Sequence, residues 1–522
     1  MTREARAKQA TGGAFGEPSR VRSCGRDAPA PPEYVRATLR DDHDDADELP
    51  IELGPCSNGE YDPVPLDTVA RETIRRVREG VDDHARRLRL PRRDFLRSVG
   101  GAALMLLTLD ACHGEAKKAT ARRPGGRYVI PPESTTEPSV AGGVLGGSDV
   151  VVDSQTHFLE FDDAHQAGLA FAKTFPQSAC GASDPRTCFS VQQYLDDLFV
   201  RSDTAIAVLS AVPIAGESSP LTIDAMERAR HALDHACGDG RLLLHGGVFP
   251  QLGRPGAALD GMSALTQQHR IAAWKVYTHT PGPGWWLDDH EPAAPRVGQS
   301  FLGRARELGV RTVCVHKGFG SGSRYASPVD IGPAANANPD IRFVVYHSGY
   351  DVGRPEGRYT DATADAGVNR LVKSVRDAGI GPGGNVYAEL GSTWWNLMRD
   401  PTQAAHVIGK LLTYLGPDNV LWGTDSIWYG SPQDQIQAFR AFEITPELQE
   451  RYGYPALTPE VKRKILGANA LRLYGVAAPP ASCRPTPQQI EQARIELPAR
   501  RTTYGPATVA EVRALWTTHG IV

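Results

Sequence analysis

A chain of 522 residues, 41% hydrophobic and 23% charged, is long enough for one large core with extensions or for two to three ordinary domains. A formal net charge of −4 leaves no electrostatic footprint for a nucleic-acid partner. Eight cysteines without a CxxC pair argue against a zinc ribbon or a thioredoxin-type redox motif.

Residues 1–90 read as an N-terminal extension. Its first 60 positions are rich in Pro, Gly, Asp and Arg and poor in large apolar groups, which predicts an unfolded segment. Leu66, Val69, Ile74, Val77, Val81 and Leu88 then recur at the spacing of a charged amphipathic helix over 66–90. In 91–112, Arg92 and Arg93 precede an apolar run from Val99 to Leu109. That run is short for a membrane span but suits the apolar region of an export signal. The paired arginines resemble a twin-arginine motif, predicting export to the periplasm or cell envelope. Leu109–Cys112 resembles a lipoprotein box, with Cys112 as a point of membrane attachment and Asp110 as an unusual member of it. Ninety-one residues ahead of the motif speak for the alternative, a buried core helix in a cytoplasmic protein. Residues 113–148 read as a Pro/Gly/Ser/Thr-rich linker.

From Asp149 the texture changes. Eight short β-branched apolar runs, 149–158, 204–212, 241–249, 272–279, 311–318, 342–349, 385–392 and 419–428, alternate with helix candidates such as 223–237, 299–308, 367–378, 402–415 and 432–442. Runs that are apolar on both faces suit parallel strands covered by helices. Eight of them predict an α/β fold, a (β/α)8 TIM barrel over 149–476, closed by a helix at 459–475. A doubly wound open sheet is the alternative, but its first strand usually leads into a Gly-rich loop, and here that strand ends in Gln155-Thr156-His157. Residues 477–522 form a short C-terminal tail. Cys180 and Cys188 bracket a Gly/Ser/Asp/Pro loop that could close as a disulfide in an oxidising compartment.

In a parallel barrel, side chains at the carboxyl ends of the strands converge. The first run places Gln155 and His157 there, two residues apart and so on one face. The fifth ends in His316, the sixth in His347 and the eighth in Asp425. Any one such histidine is more often a hydrogen-bonded core group. Together, three imidazoles and a carboxylate suit one divalent metal ion, zinc best, with manganese or iron as alternatives. Lys275 in the fourth run is a candidate contact for a substrate carboxylate or, equally, a paired interior lysine. Trp394 and Trp395, and similarly Trp285 and Trp286, could wall an apolar substrate pocket or simply pack their loops. His279 is a loop histidine with the same two readings, His245 reads as structural, and Glu389 reads as a group orienting a ligand.

From about 149 to 476 the chain resembles the amidohydrolase-related metal-dependent hydrolases, in the branch that includes aminocarboxymuconate semialdehyde decarboxylase. The pieces that carry the resemblance are VVDSQTHF, VCVHKGF, VVYHSGY, LWGTDSIW and ILGANALRLYG, in that order. It implies His157 and His316 as metal ligands, His347 as an acid–base or oxyanion-stabilising histidine, and Asp425 as a metal ligand sharing a proton with the nucleophilic water. Gln155 departs from the family's His-x-His. Three states follow: Gln155 as a weak ligand, a metal held by His157, His316 and Asp425 alone, or no metal.

The expected activity is hydrolysis of an amide, lactone or ester of a small-molecule substrate. Non-oxidative decarboxylation of an aromatic or unsaturated carboxylate is the first alternative, and a metal-free exported binding protein the second. A serine hydrolase at Ser321 or Ser323 is a weaker rival, because no G-x-S-x-G elbow follows a strand. A homodimer is left open.

Overall fold

The computed structural model describes residues 49–160, 185–216, 219–238, 240–254, 256–320, 322–496 and 503–519. Eight parallel strands follow one another in order: β1 (Val151–Thr156), β2 (Thr204–Leu209), β3 (Leu242–Val248), β4 (Ile271–Tyr277), β5 (Thr312–His316), β6 (Arg342–Tyr346), β7 (Val386–Glu389) and β8 (Val420–Leu421). Each of the eight apolar runs coincides with one of them, β4 starting one residue ahead of its run. The ring closes where Ser154 N donates to Trp422 O, Asp425 N to Gln155 O and His157 N to Ser426 O. The chain is thus an α/β barrel.

Two apolar layers follow from the period of two along each strand. Val152, Ile206, Val208, Leu243, Ala273, Cys314, Val344, Tyr346 and Leu421 fill the inside. Ala470 and Leu473 of the closing helix plug one end. Their strand neighbours, such as Val313, Val315, Phe343 and Val345, belong to the larger outer core under the helices. The closing helix, Pro459–Tyr474, passes through a π turn at Lys464–Ala468. Ile465 O there accepts from Trp422 N of the last barrel run. Gly467 lies so close to β1 that a Cβ would sit 1.8 Å from Val150 O.

The extension departs from the sequence reading. Residues 49–60 are folded against the barrel: Ile51 and Leu53 are fully buried or nearly so, and Cys56, Ser57 and Asn58 are buried with them. The remainder of the segment expected to be unfolded, 1–48, lies outside the described residues. Composition missed this strap because its few apolar groups are held by the barrel rather than by one another. Helix α1 (Thr68–Leu88) forms as expected, capped by Asp67 and burying Ile74, Val77 and Val81. The twin-arginine segment forms α2 (Arg92–Arg97) and α3 (Val99–Ala119). Met105, Leu106, Leu109 and Cys112 of α3 are buried. Among the described residues no helix is long and apolar enough to cross a membrane. The expected linker is also structured. Gly126–Tyr128 pairs antiparallel with Phe442–Ile444, and Pro138–Leu145 is a helix.

The tail clamps the strap. Ser57 N donates to Pro506 O, and the Tyr504 and Gly505 amides both donate to Trp428 O beside it. Cys188 and Cys483 are each disulfide-bonded, and Cys56, Cys112 and Cys314 are buried free thiols. The Cys180–Cys188 bridge falls on Cys180, outside the described residues.

Candidate active site

The carboxyl ends of the strands surround a cavity of about 530 Å³. Gln155, His157, His316 and Asp425 line it, joined by Asn58, Gly59 and Glu60 of the strap. Much of the remaining wall is apolar: Leu159, Val212, Ile214, Leu252, Tyr277 and Trp428.

Asp425 is the hub. Its Oδ1 accepts from Gln155 Nε2 at 2.7 Å and lies 3.1 Å from His157 Nε2. Its Oδ2 accepts from Asn58 Nδ2 at 2.8 Å and Ser392 Oγ at 2.6 Å. Three donors thus occupy three of the about four lone-pair sites of the carboxylate and leave one on Oδ1 facing His157 Nε2. Burial alone would raise this carboxyl, but the His157 hydrogen bond and the nearby His347 and His157 rings outweigh it and hold it at about 2. Asp425 is therefore ionised at neutral pH. His157 is fixed from behind, because its Nδ1 donates to Ser210 O at 2.7 Å and so leaves Nε2 facing Asp425.

His347 lies below the cavity rather than in its wall. Its Nδ1 donates to Gly391 O at 2.8 Å, and Nε2 lies 3.4 Å from Gln155 Nε2. Its ring also meets His316, with centroids 4.6 Å apart. Burial, with His316 close by, lowers its pKa to about 4. Beneath it Glu389 accepts from His347 N at 3.2 Å and Gly391 N at 2.5 Å. Burial pushes that carboxyl up to about 8. Gly423 must lack a side chain here, since a Cβ would lie 1.7 Å from Glu389 Oε1.

Non-glycine residues in the left-handed region concentrate at these strand ends: His347 (φ 61°), Ser348 (54°), Ser392 (54°) and Asp425 (59°). Such conformations cost on the order of 1 kcal/mol or more each and persist where surrounding contacts over-determine them. Here the strain turns the polar groups of three strand ends inward.

Two strap residues were invisible to sequence reasoning. Asn58 Nδ2 donates to both Asp425 Oδ2 and Glu60 Oε2, each at 2.8 Å. Glu60 Oε2 in turn lies 2.8 Å from His316 Nε2. Only the turn-forming "SNGE" marks them in the sequence, and nothing in it points to a barrel that starts some ninety residues later.

The donor set fits a cation. Among the described residues, Glu60, His279 and His316 have ligand atoms all within 4.8 Å of one another. His157, His316 and Asp425 share the mouth but form no set that compact. The nitrogens His279 Nδ1 and His316 Nδ1, and the oxygen Gln155 Oε1, are buried without a hydrogen-bond partner. Buried polar atoms normally have one.

The remaining sequence candidates lie elsewhere. Lys275 sits two residues before the end of β4, one layer down inside the barrel, with Nζ 3.7 Å from the Tyr346 ring centroid and no hydrogen bond. It is not in the described cavity wall. Trp394 donates to Gln435 O and packs edge-on against Phe439 and Phe442, while Trp395 stacks on Tyr429. Trp285 donates to Tyr277 O and Trp286 to Glu291. All four tryptophans are buried packing groups away from that wall. His245 is held by Ser210 Oγ and Tyr474 OH inside the barrel, as a structural histidine should be. Ser321 lies outside the described residues.

The family model described as Amidohydrolase matches residues 152–476. No curated protein matches the chain. Among solved structures, an uncharacterized TIM-barrel protein from Bordetella bronchiseptica is 14% identical, with 62% of this chain and 98% of that one covered at a TM-score of 0.41. The 5-carboxyvanillate decarboxylase LigW from Sphingomonas paucimobilis is 13% identical, with 63% and 100% covered at 0.36. Amidohydrolase 2 from Bifidobacterium longum subsp. infantis is 13% identical, with 63% and 100% covered at 0.32.

Proposed function

Because the chain belongs to the amidohydrolase family, we propose that it is a metal-dependent hydrolase that uses water to cleave an amide, lactone or ester of a small molecule. The observation that carries this reading is the His157–Asp425 pair, 3.1 Å apart at the floor of a largely apolar cavity. His316 and His157 supply imidazole and Asp425 carboxylate toward a cation, with Gln155 as the weakest donor. A divalent cation, zinc best suited and manganese or iron as alternatives, supplies Lewis acidity toward water and a carbonyl when bound at this mouth.

Asp425, ionised, accepts the proton that a water loses as it attacks. His157 stands beside the oxygen that takes that proton, with its Nε2 lone pair turned toward the mouth because Nδ1 donates to Ser210 O. Gln155 and Ser392 hold the carboxylate still, so its reach does not depend on a mobile rotamer. His347 is the acid–base group that the family position implies, and it touches the mouth through Gln155. Leu159, Val212, Ile214 and Leu252 exclude water from the bound substrate's apolar flank.

Hydrolysis is put ahead of decarboxylation as the broader activity of the family. The charged side chains in the described wall are Glu60 and Asp425, with no lysine or arginine among them to pair with a substrate carboxylate. With a divalent cation bound, the two carboxylates leave that wall without net charge, which suits a neutral ester, lactone or amide. Disulfide bonds at Cys188 and Cys483 support export to an oxidising compartment. Cys112 is fully buried in α3, so acylation there is not part of the proposal.

The test is metal analysis of the purified full chain with a screen of lactones, esters, amides and aromatic carboxylates. About one equivalent of metal and turnover of a neutral acyl substrate, lost in Asp425→Asn, is expected. Turnover confined to carboxylates would make it a decarboxylase. A metal-free, inactive protein of full stability would make it a binding protein.

A further inference from the structure

We propose that Glu60 of the strap and His279 of the loop after β4 join His316 in a cation site at this mouth. The inference rests on the reading above that the protein uses a cation, and it concerns which residues hold it.

Three regions of chain meet here. Glu60 Oε2 stands 2.8 Å from His316 Nε2, and the His279 and His316 ring centroids are 4.7 Å apart. The ligand atoms of all three fall within 4.8 Å of one another. Two imidazoles and a carboxylate form a common set for zinc with an open position. Glu60 and His316 both face the cavity, where that open position would receive water or substrate.

The nitrogens themselves point to a ligand. His279 Nδ1 and His316 Nδ1 are buried with no hydrogen-bond partner. Two orphaned nitrogens on neighbouring buried imidazole rings are costly unless something occupies them.

Strand 1 is one imidazole short. Gln155 turns an amide N–H, a donor, toward Asp425, where a second strand-1 imidazole would offer a lone pair to a metal.

Glu60 is also held in place. Asn58 accepts from Glu60 N at 2.9 Å and donates to its Oε2 at 2.8 Å, so one amide side chain orients both backbone and carboxylate. Tyr61 anchors the next position through Tyr429 OH at 2.8 Å and Asn396 Nδ2 at 3.0 Å. Partners of this kind orient a ligand before metal arrives.

The experiment uses the full chain, titrated with zinc against a chelating indicator and with cobalt(II) read by its visible absorption. Glu60→Gln and His279→Gln are each expected to weaken zinc at least about 100-fold, more than loss of a merely orienting partner does. Circular dichroism and urea midpoints identify a variant that fails to fold, and Glu60→Asp, which keeps the carboxylate, should recover much of the affinity and the cobalt spectrum. Wild-type affinity in Glu60→Gln and His279→Gln, with metal lost in His157→Gln or Asp425→Asn, overturns this proposal and leaves the enzyme reading intact. A wild-type chain that binds neither ion overturns both.

Discussion

Asn58 is the residue through which the strap and the barrel hold each other. Its amide donates to Asp425 and to Glu60, two carboxylates from segments 365 positions apart in sequence, at 2.8 Å each. Hydrogen bonds to charged groups contribute about 1.5–3 kcal/mol apiece, so the two together are worth at most about 3–6 kcal/mol. Asp425 is almost fully enclosed, with a side-chain exposure of 3%, and keeps two other donors, Gln155 and Ser392, after truncation. Glu60 is 21% exposed and can regain a water. A net cost of about 2–4 kcal/mol is therefore expected for Asn58→Ala, against a typical total of about 5–15 kcal/mol. Asn58→Asp is isosteric and harsher, because it aims a third carboxylate at two others. Like charges about 4 Å apart repel by roughly 4 kcal/mol at an effective dielectric of 20, so that variant should be least stable near neutral pH and recover on acidification. Urea unfolding followed by tryptophan fluorescence measures both. An Asn58→Ala midpoint indistinguishable from wild type, together with an Asn58→Asp profile flat in pH, would refute the assignment of these bonds.

Three further expectations follow from groups away from the cation. Gly505→Ala would drive a Cβ to 1.9 Å from Ser57 O, so the strap should loosen and limited proteolysis should cut within residues 49–62 while the barrel's circular dichroism persists. Unchanged cleavage would show that the tail does not clamp the strap. Lys410 donates to Glu356 and Asn369 in a fully buried cluster, so Lys410→Met should cost about 3–5 kcal/mol by urea unfolding, and adding Glu356→Gln should return much of it. Equal stability of single and double variants would contradict this. Glu389, raised by burial from 4.5 to about 8, keeps its proton in the folded chain after the unfolded chain has lost it. Stability should therefore fall as pH rises from about 4.5 to about 8, by up to about 5 kcal/mol, and level off above that window. Glu389→Gln should flatten that slope, and an unaltered slope would assign it to other groups.

The barrel could be read from the chain because its strands are buried on both faces. A run such as RFVVYHSG must be apolar throughout, and eight such runs separated by helices admit few architectures. The mouth was legible for a related reason: His157, His316, His347 and Asp425 each follow an apolar run, where a polar group must turn inward or meet water. β4 continues to Tyr277, two residues past Lys275, so of the two readings of that lysine the interior one matches its place. Trp394 and Trp395 follow β7 in sequence but lie in a helical turn, Thr393–Leu397, which carries Trp394 back onto Phe439 and Phe442. In α3, apolar content alone left export signal and core helix both open, since the two bury the same side chains against different surroundings. Asn58 and Glu60 were out of reach, because short polar segments carry no periodicity that names a distant partner.

The interval matched by the family model begins at residue 152, nearly a hundred positions after Glu60. A gene trimmed to that interval would encode a drum without its lid. Ile51, Leu53 and Tyr61 would leave bare the apolar surfaces they cover, and Asp425 would meet solvent where Asn58 now stands. Poor expression or silence from such a truncated product would say little about the full chain, whose strap lies upstream of the interval that gives it its family.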